Sequence, residues 1–381
     1  MEKPKLKSII ANFLSFIILI LIFTFTFIKM DITPIVMWLG FGLAAYSVVG
    51  NDVIQTLGTF LTSNEERAKW QVLWLYAASI LTIVLTIGWY DPFEWYDYTR
   101  GVAYGRLDGF DMPEVYPWYY LLPPLVLMLI TRTGIPVSTT FMILTLFSLQ
   151  KLPNDLNSMV MSMLDTSSKL GGMIQKSLMG YVIAFGAAAV IYLIISRLTE
   201  KYFIENPLKE KNRTNWMIVQ WFTTGFLWYQ WLTQDLANIY IYLKGGEGQG
   251  NSVFFASLLI LLALLAYIFK NRGGKVQELV RKKINTADIR SATFVDLIYG
   301  IVLYVFKDDY FGLWGAKIPM STTWLFIGLL AGREIAIRIN LEKTVTKATG
   351  RMVLMDLLKV FLGLVVSVLL VFIIKLLAGN S

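Results

Sequence analysis

Ile135-Pro136-Val137-Ser138-Thr139-Thr140 stands 183 positions before Ile318-Pro319-Met320-Ser321-Thr322-Thr323. At the same offset Trp38 falls on Trp221, Gly42 on Gly225, Tyr46 on Tyr229 and Asp52 on Asp235. Lys176 falls on Lys359 and Gly180 on Gly363. The offset holds over roughly 140 residues. Two apolar segments match easily by chance, but a polar Asp and a Pro-x-Ser-Thr-Thr at one offset do not. The chain is therefore read as an internal repeat: residues 34–200 and 216–381, joined by a linker at 201–215.

What surrounds the repeated motif is apolar. Hydrophobic residues make up 56% of the 381 residues and charged residues only 16%, so most of the length belongs in lipid. Runs long enough to span a bilayer occur at roughly 8–30, 34–62, 70–90, 170–197, 216–243, 252–270 and 352–377. The first run, within residues 1–33, is too long for a signal-peptide core and is read as an extra transmembrane helix. Stretches 116–150 and 292–333 are apolar but interrupted, each carrying Pro and the triplet near its middle. Broken backbone survives at membrane depth only inside protein or beside a water-filled cavity. Both are expected to be re-entrant hairpins. The expected fold is an all-α integral membrane protein of two repeats with broken helices.

Loop charges orient the chain. Loop 91–115 carries six acids against Arg100 and Arg106, whereas 270–290 carries seven bases against Glu278 and Asp288. Lys and Arg collect on the cytoplasmic side. With a cytoplasmic N-terminus, the spans put 91–115 outside and 197–215, 270–290 and 333–351 inside. Each repeat then holds three full spans and a hairpin. Three is odd, so the halves lie in opposite orientations. Inverted repeats mark secondary transporters, whose site lies between the halves near the midplane. The expected location is a multi-pass protein of the cell (inner) membrane, surrounded by lipid. The net charge of +8 sits in short runs between spans, which suits a membrane surface and not nucleic acid. The aromatic stretch Trp95–Tyr120 is expected to form an interfacial belt.

The chain has no His and no Cys. That excludes imidazole bases, thiolate nucleophiles, disulfides and His- or Cys-ligated metals. There is also no Walker loop, nucleophile elbow or dinucleotide fingerprint. No enzyme activity and no cofactor is expected. Carboxylates, hydroxyls, amides and backbone remain, a set suited to hard cations and oxyanions.

Two constellations use that set. In Asn51-Asp52-Val53-Ile54-Gln55 and Gln234-Asp235-Leu236-Ala237-Asn238, carboxylate and amide stand three apart on one helix face. An ionisable group within a span usually faces a cavity, and these oxygens suit Na⁺. In the triplets Ser138-Thr139-Thr140 and Ser321-Thr322-Thr323, Pro136 and Pro319 suit a helix start and the serines suit N-caps. Each triplet should open a half-helix whose free N–H groups and positive dipole end face an anion. A doubly charged oxyanion beside two carboxylates is strongly repelled in a low-dielectric site. Either the aspartates take protons or cations enter with the anion. Arg132 and Lys317 precede the triplets at equivalent depth and are expected to snorkel to the interface.

These residues resemble a known family. Asn51-Asp52 through Gly58-Thr59 is similar to the Gly-x-Asn-Asp-x-x-Asn-x-x-Gly-Thr signature of the inorganic phosphate transporter (PiT) family. Gly134–Thr140 resembles its Gly-Leu-Pro-Val-Ser-Thr-Thr-His element, and Ile318–Thr323 the second copy. The resemblance covers roughly 34–377. It implies uptake of inorganic phosphate with Na⁺ or H⁺, with sulfate as the substrate of some members. It implies that Ser138, Thr139, Thr140, Ser321, Thr322 and Thr323, with Gln55 and Gln234, bind the anion. Asn51, Asp52, Thr59, Asp235 and Asn238 would serve the cations, with Na⁺ at Asp52 and Asp235. The departures are specific. Gln55 and Gln234 replace Asn, Ile241 replaces Gly, and Phe141 and Trp324 stand where the family has His.

The resulting expectation is a secondary active transporter importing phosphate with Na⁺ by alternating access. Its alternatives are a sulfate or other small-oxyanion permease, coupled to Na⁺ or H⁺, and an anion channel. A homo-oligomer is compatible with each.

Overall fold

The computed structural model describes residues 32–90, 101–108, 110, 112–131, 137–149, 155–195, 201–246, 250–272, 288–310, 312, 318–341 and 347–378. The expected helix at 8–30, together with Arg132, Pro136 and Lys317, lies outside the described residues. Among the described residues all regular structure is helical.

The chain first forms α1 (Thr33–Val48), which passes through a π-helical turn (Val49–Val53) into α2 (Ile54–Asn64). Pro34 lies in the opening turn of α1, where its missing N–H has no intrahelical partner to lose. Then come α3 (Trp70–Tyr90), a 3₁₀ turn (Trp118–Leu121), α4 (Leu122–Thr131), α5 (Thr139–Leu149) and α6 (Leu156–Leu164). The Asp155 carboxylate caps α6 by accepting from the Ser158 N–H at 2.7 Å. After α7 (Lys169–Ile195) and α8 (Lys201–Glu205), the second half begins with α9 (Glu210–Asp235), α10 (Ala237–Tyr240) and a 3₁₀ turn (Ile241–Gly246). It continues through α11 (Asn251–Lys270), α12 (Ile289–Lys307), α13 (Thr322–Leu341) and α14 (Lys347–Ala378).

Among the described residues, five helical segments are long and apolar enough to cross a membrane: Thr33–Asn64, Trp70–Tyr90, Lys169–Ile194, Asn251–Lys270 and Ile289–Lys307. Their outward faces are apolar too. Leu75 and Ile83 on α3, and Phe255 and Leu259 on α11, are all more than half exposed, as expected of helices whose surroundings are lipid.

Two expectations need adjustment. The interrupted stretch 116–150 contains short helices, α4 of 10 residues and α5 of 11, neither able to cross alone. Its counterpart 292–333 is likewise broken, between α12 and α13, but α12 is a continuous 19-residue helix that meets the length for a crossing. It has no proline to interrupt it. Conversely, α9 falls outside the five because its buried face is polar, carrying Gln220, Thr223, Thr224, Gln230, Thr233, Gln234 and Asp235.

The aromatic stretch before α4 is also not simply a belt. Tyr116 and Tyr120 are buried. The Tyr116 hydroxyl donates to the Ile241 carbonyl at 3.2 Å, and Tyr242 donates to the Tyr120 carbonyl at 2.9 Å. These rings pin the start of the interrupted stretch to the segment after α10.

α7 and α13 pack closely against each other. Gly328 and Gly332, one turn apart on α13, lie against the backbone of Tyr181 and Phe185 on α7. Small residues at this spacing let helix backbones approach in a membrane, where hydrophobic attraction between helices is weak.

Candidate functional site

Asp52 sits in the π turn between α1 and α2. A π turn breaks the regular bonding of a helix and is enriched at functional sites. The turn points Asn51 and Asp52 inward, and both are buried. Asn51 Nδ2 donates to Asp52 Oδ1 at 2.7 Å and to the Val137 carbonyl at 2.8 Å. Gln55, one turn on, donates to Asn51 Oδ1 at 3.2 Å. The Thr139 hydroxyl donates to Asp52 Oδ2, and the Thr323 hydroxyl lies 3.5 Å from Oδ1. Asp52 is thus held by residues from both triplets.

The triplets open helices as their sequence requires. α5 starts at Thr139 and α13 at Thr322. Ser138 Oγ accepts from the Phe141 N–H at 3.2 Å, and Ser321 Oγ accepts from the Trp324 N–H at 3.3 Å. The serines are therefore N-caps, while the threonines supply the side chains that cross the centre. Thr140 donates to the Met320 carbonyl at 3.3 Å, and Thr323 lies 3.5 Å from the Val137 carbonyl. Each helix start is tied to the residue preceding the other triplet. Phe141 and Trp324 meet edge to face with ring centroids 5.5 Å apart, which packs the two starts together.

On the second half, Gln234 Nε2 donates to the Met320 carbonyl at 3.2 Å, as Asn51 does to Val137. Asn238 Nδ2 reaches Asp235 Oδ1 at 2.9 Å, Thr139 Oγ1 at 3.1 Å and Thr140 Oγ1 at 3.2 Å. A chain Asn238–Thr139–Asp52 therefore joins the halves. Thr322 contributes to the Asp235 carboxylate, yet Asp235 Oδ2 and Asn238 Oδ1 are buried without a hydrogen-bond donor among the described residues. Asp52 and Asp235 lie close enough to repel one another. Buried acceptors without donors are costly, and carboxylate and amide oxygens are the ligand type that suits a hard cation.

The structure brings Asn51, Asp52, Gln55, Thr139, Thr140, Gln234, Asp235, Asn238 and Thr323 into one network. Thr59 goes elsewhere. Its hydroxyl donates to Asp296 Oδ1, while Thr224 donates to Asp296 Oδ2 at 2.6 Å. Asp296 is buried where α2, α9 and α12 meet. Sequence reasoning missed it although it was visible as a carboxylate inside an apolar run. Its position 183 residues back is Pro113, so the repeat did not mark it.

Arg106 was also missed. It lies in the turn 101–108, is buried, and donates from Nε to Gln234 Oε1 at 2.7 Å. In the sequence it is one of two bases in an acidic loop, and nothing there marks it. Lys176, singled out by its repeat partner, is fully buried and donates to the Ile318 carbonyl at 3.0 Å, just before the second triplet.

No family model matches the chain, and no curated protein matches it significantly. Among solved structures, one described as "The sodium-dependent phosphate transporter" is 17% identical, covers 91% of this chain and 100% of that chain, and superposes with a TM-score of 0.49.

Proposed function

We propose that this chain is a secondary active transporter that imports inorganic phosphate with Na⁺ by alternating access between two inverted halves. One observation carries the reading. Two helix starts, each opened by a Ser-Thr-Thr triplet, are laced together beside two buried carboxylates. Helix N-termini with hydroxyl side chains attract a tetrahedral oxyanion. Carboxylates at the same place repel it unless a cation is also bound. A site with both features favours joint occupancy, which is the thermodynamic basis of symport.

Within this reading, the threonines would turn from each other's carbonyls to the anion, and Gln55 and Gln234 would lend amide donors. Asp52, Asp235, Asn51 and Asn238 would hold Na⁺, with Asp235 Oδ2 and Asn238 Oδ1 as ready ligands. Alternating access asks for weak, exchangeable contacts between the halves. The long Thr140–Met320 and Thr323–Val137 bonds are of that kind. The resemblance of the Asn-Asp and Pro-x-Ser-Thr-Thr elements to the PiT family supports phosphate as substrate.

A second reading keeps the mechanism and changes the anion. Phe141 and Trp324 replace the titratable donors that the family places after each triplet. A site without them has less means of holding a protonatable anion over sulfate, so sulfate is the runner-up. The experiment is uptake of radiolabelled phosphate and sulfate into proteoliposomes, with and without a Na⁺ gradient. Saturable, concentrative phosphate uptake that needs the gradient is expected. Sulfate-only uptake would replace the substrate, and non-saturating downhill flux would replace the transporter with a channel.

A further inference from the structure

The two halves hold their amides differently, and the difference centres on Arg106. In the first half, Asn51 Oδ1 accepts from Gln55 on the same helix at 3.2 Å. In the second, the equivalent Gln234 Oε1 accepts instead from Arg106 at 2.7 Å. Asn238, the counterpart of Gln55, is thereby released from that bond. It turns to Asp235 and to Thr139 and Thr140 of the opposite triplet.

The backbone around Arg106 is shaped for the purpose. Gly101, Tyr104 and Gly105 all take positive φ, at 69°, 51° and 74°. For tyrosine this is an unfavourable conformation that the surroundings must enforce. The Tyr104 hydroxyl donates to the Val84 carbonyl at 2.8 Å, and its own carbonyl accepts from Arg106 Nη1 at 3.3 Å. Arg106 Nη2 lies 3.6 Å from Asp308 Oδ1, whose side chain is 36% exposed. Lys307 Nζ shares the Asp308 carboxylate, 3.4 Å from the same Oδ1, and Lys176 and Asp309 add one charge of each sign nearby. A partly solvated Asp308 at that distance neutralises the guanidinium only in part.

We propose that Arg106 is a positioning and charge-compensating residue of the oxyanion site. It fixes Gln234, frees Asn238 to reach the first triplet, and sets a permanent positive charge beside Asp235. The second half then needs less help from a bound cation to accept an anion, and the two carboxylates become unequal. The proposal rests on the transport reading above and adds to it a residue that breaks the symmetry of the site.

The test is labelled phosphate binding to the purified full chain across a Na⁺ titration at fixed ionic strength. Wild type is compared with Arg106→Gln, Arg106→Lys and Asp308→Asn. Arg106→Gln keeps a donor for Gln234 but deletes the charge. Its half-maximal Na⁺ should rise, with binding recovered at saturating Na⁺. Arg106→Lys should keep the wild-type Na⁺ dependence. Asp308→Asn leaves Arg106 less neutralised and should lower the Na⁺ requirement. Unchanged Na⁺ dependence in Arg106→Gln overturns the proposal, as does equal loss of binding in the Gln and Lys variants at every Na⁺ concentration. Should Arg106→Gln fail to fold, Asp308→Asn with wild-type Na⁺ dependence overturns it. A wild-type chain that binds neither phosphate nor sulfate sinks the transport reading itself, and the role of Arg106 with it.

Discussion

Asp52 and Asp235 occupy matching positions in the repeat but do not have matching surroundings. Both oxygens of Asp52 have donors, from Asn51, Thr139 and Thr323, whereas Asp235 Oδ2 has none among the described residues. A carboxylate oxygen without a donor is the stronger candidate for a cation ligand. Arg106 offsets part of the charge of Asp235, so it is the free ligand oxygen and not a larger repulsion that should make Asp235→Asn uncouple transport more severely than Asp52→Asn. In either variant phosphate binding should depend less on Na⁺, because a repelling charge and a Na⁺ ligand are lost together. Concentrative uptake should fall, and most in Asp235→Asn. Binding and gradient-driven uptake across a Na⁺ titration at fixed ionic strength check this. Wild-type behaviour in both variants would remove the aspartates from coupling. At this scale the sequence was informative wherever a residue recurred at the repeat offset or stood polar in an apolar run. The triplets, Asp52 and Asp235 all did so. Arg106 did neither. Its buried position depends on the turn at 101–108 with left-handed Gly101, Tyr104 and Gly105, and no local pattern announces such a turn.

Helix boundaries follow from elementary rules. α5 and α13 begin one residue after their capping serines, and α6 begins after Asp155. The π turn at Val49–Val53 was not legible, because an inserted residue leaves the apolar pattern of the run intact. The interruption expected in 292–333 is there, between the end of α12 at Lys307 and the start of α13 at Thr322, but the length of α12 before it was not legible. The close pairing of α7 and α13 is a property of two glycines. A Cβ on Gly332 would meet the backbone of Phe185 and Ala189, with Ala189 N at 3.0 Å. Backbone cannot yield as a side-chain tip can. Gly332→Val should cost about 1–3 kcal/mol, the usual range for overpacking, and lower the unfolding midpoint in detergent. Gly42, where an added Cβ would meet nothing within 4 Å, is the control; Gly42→Ala should leave that midpoint nearly unchanged. A Gly332→Val variant as stable as wild type would mean that the two helices can separate without loss.

Across the whole molecule, the packing partners exchange under the 183-residue shift. α5 packs on α14, while their equivalents α13 and α7 pack on each other. α1 contacts α11, while α9 contacts α3. α3 and α11, equivalent to one another, pack together. A pair of repeats related by a two-fold axis produces this pattern, whichever way the axis runs. The direction of the axis is decided by topology. The sequence expects an odd number of crossings per repeat, which would set the axis in the membrane plane, and the loop charges favour the same: 91–115 is acidic and its counterpart 270–290 is basic. The first loop should therefore face the outside and the second the cytoplasm. The absence of cysteine from the sequence makes the test direct, because a single introduced thiol has no background. Glu114→Cys and Lys270→Cys, each in the full chain, are exposed in turn to a membrane-impermeant thiol reagent on intact cells. Labelling of the first and protection of the second until the membrane is permeabilised is the expected result. Labelling of both from outside would place the two loops on one side. The exchange of packing partners would then reflect an axis along the membrane normal, and alternating access would lose the opposed halves on which it depends.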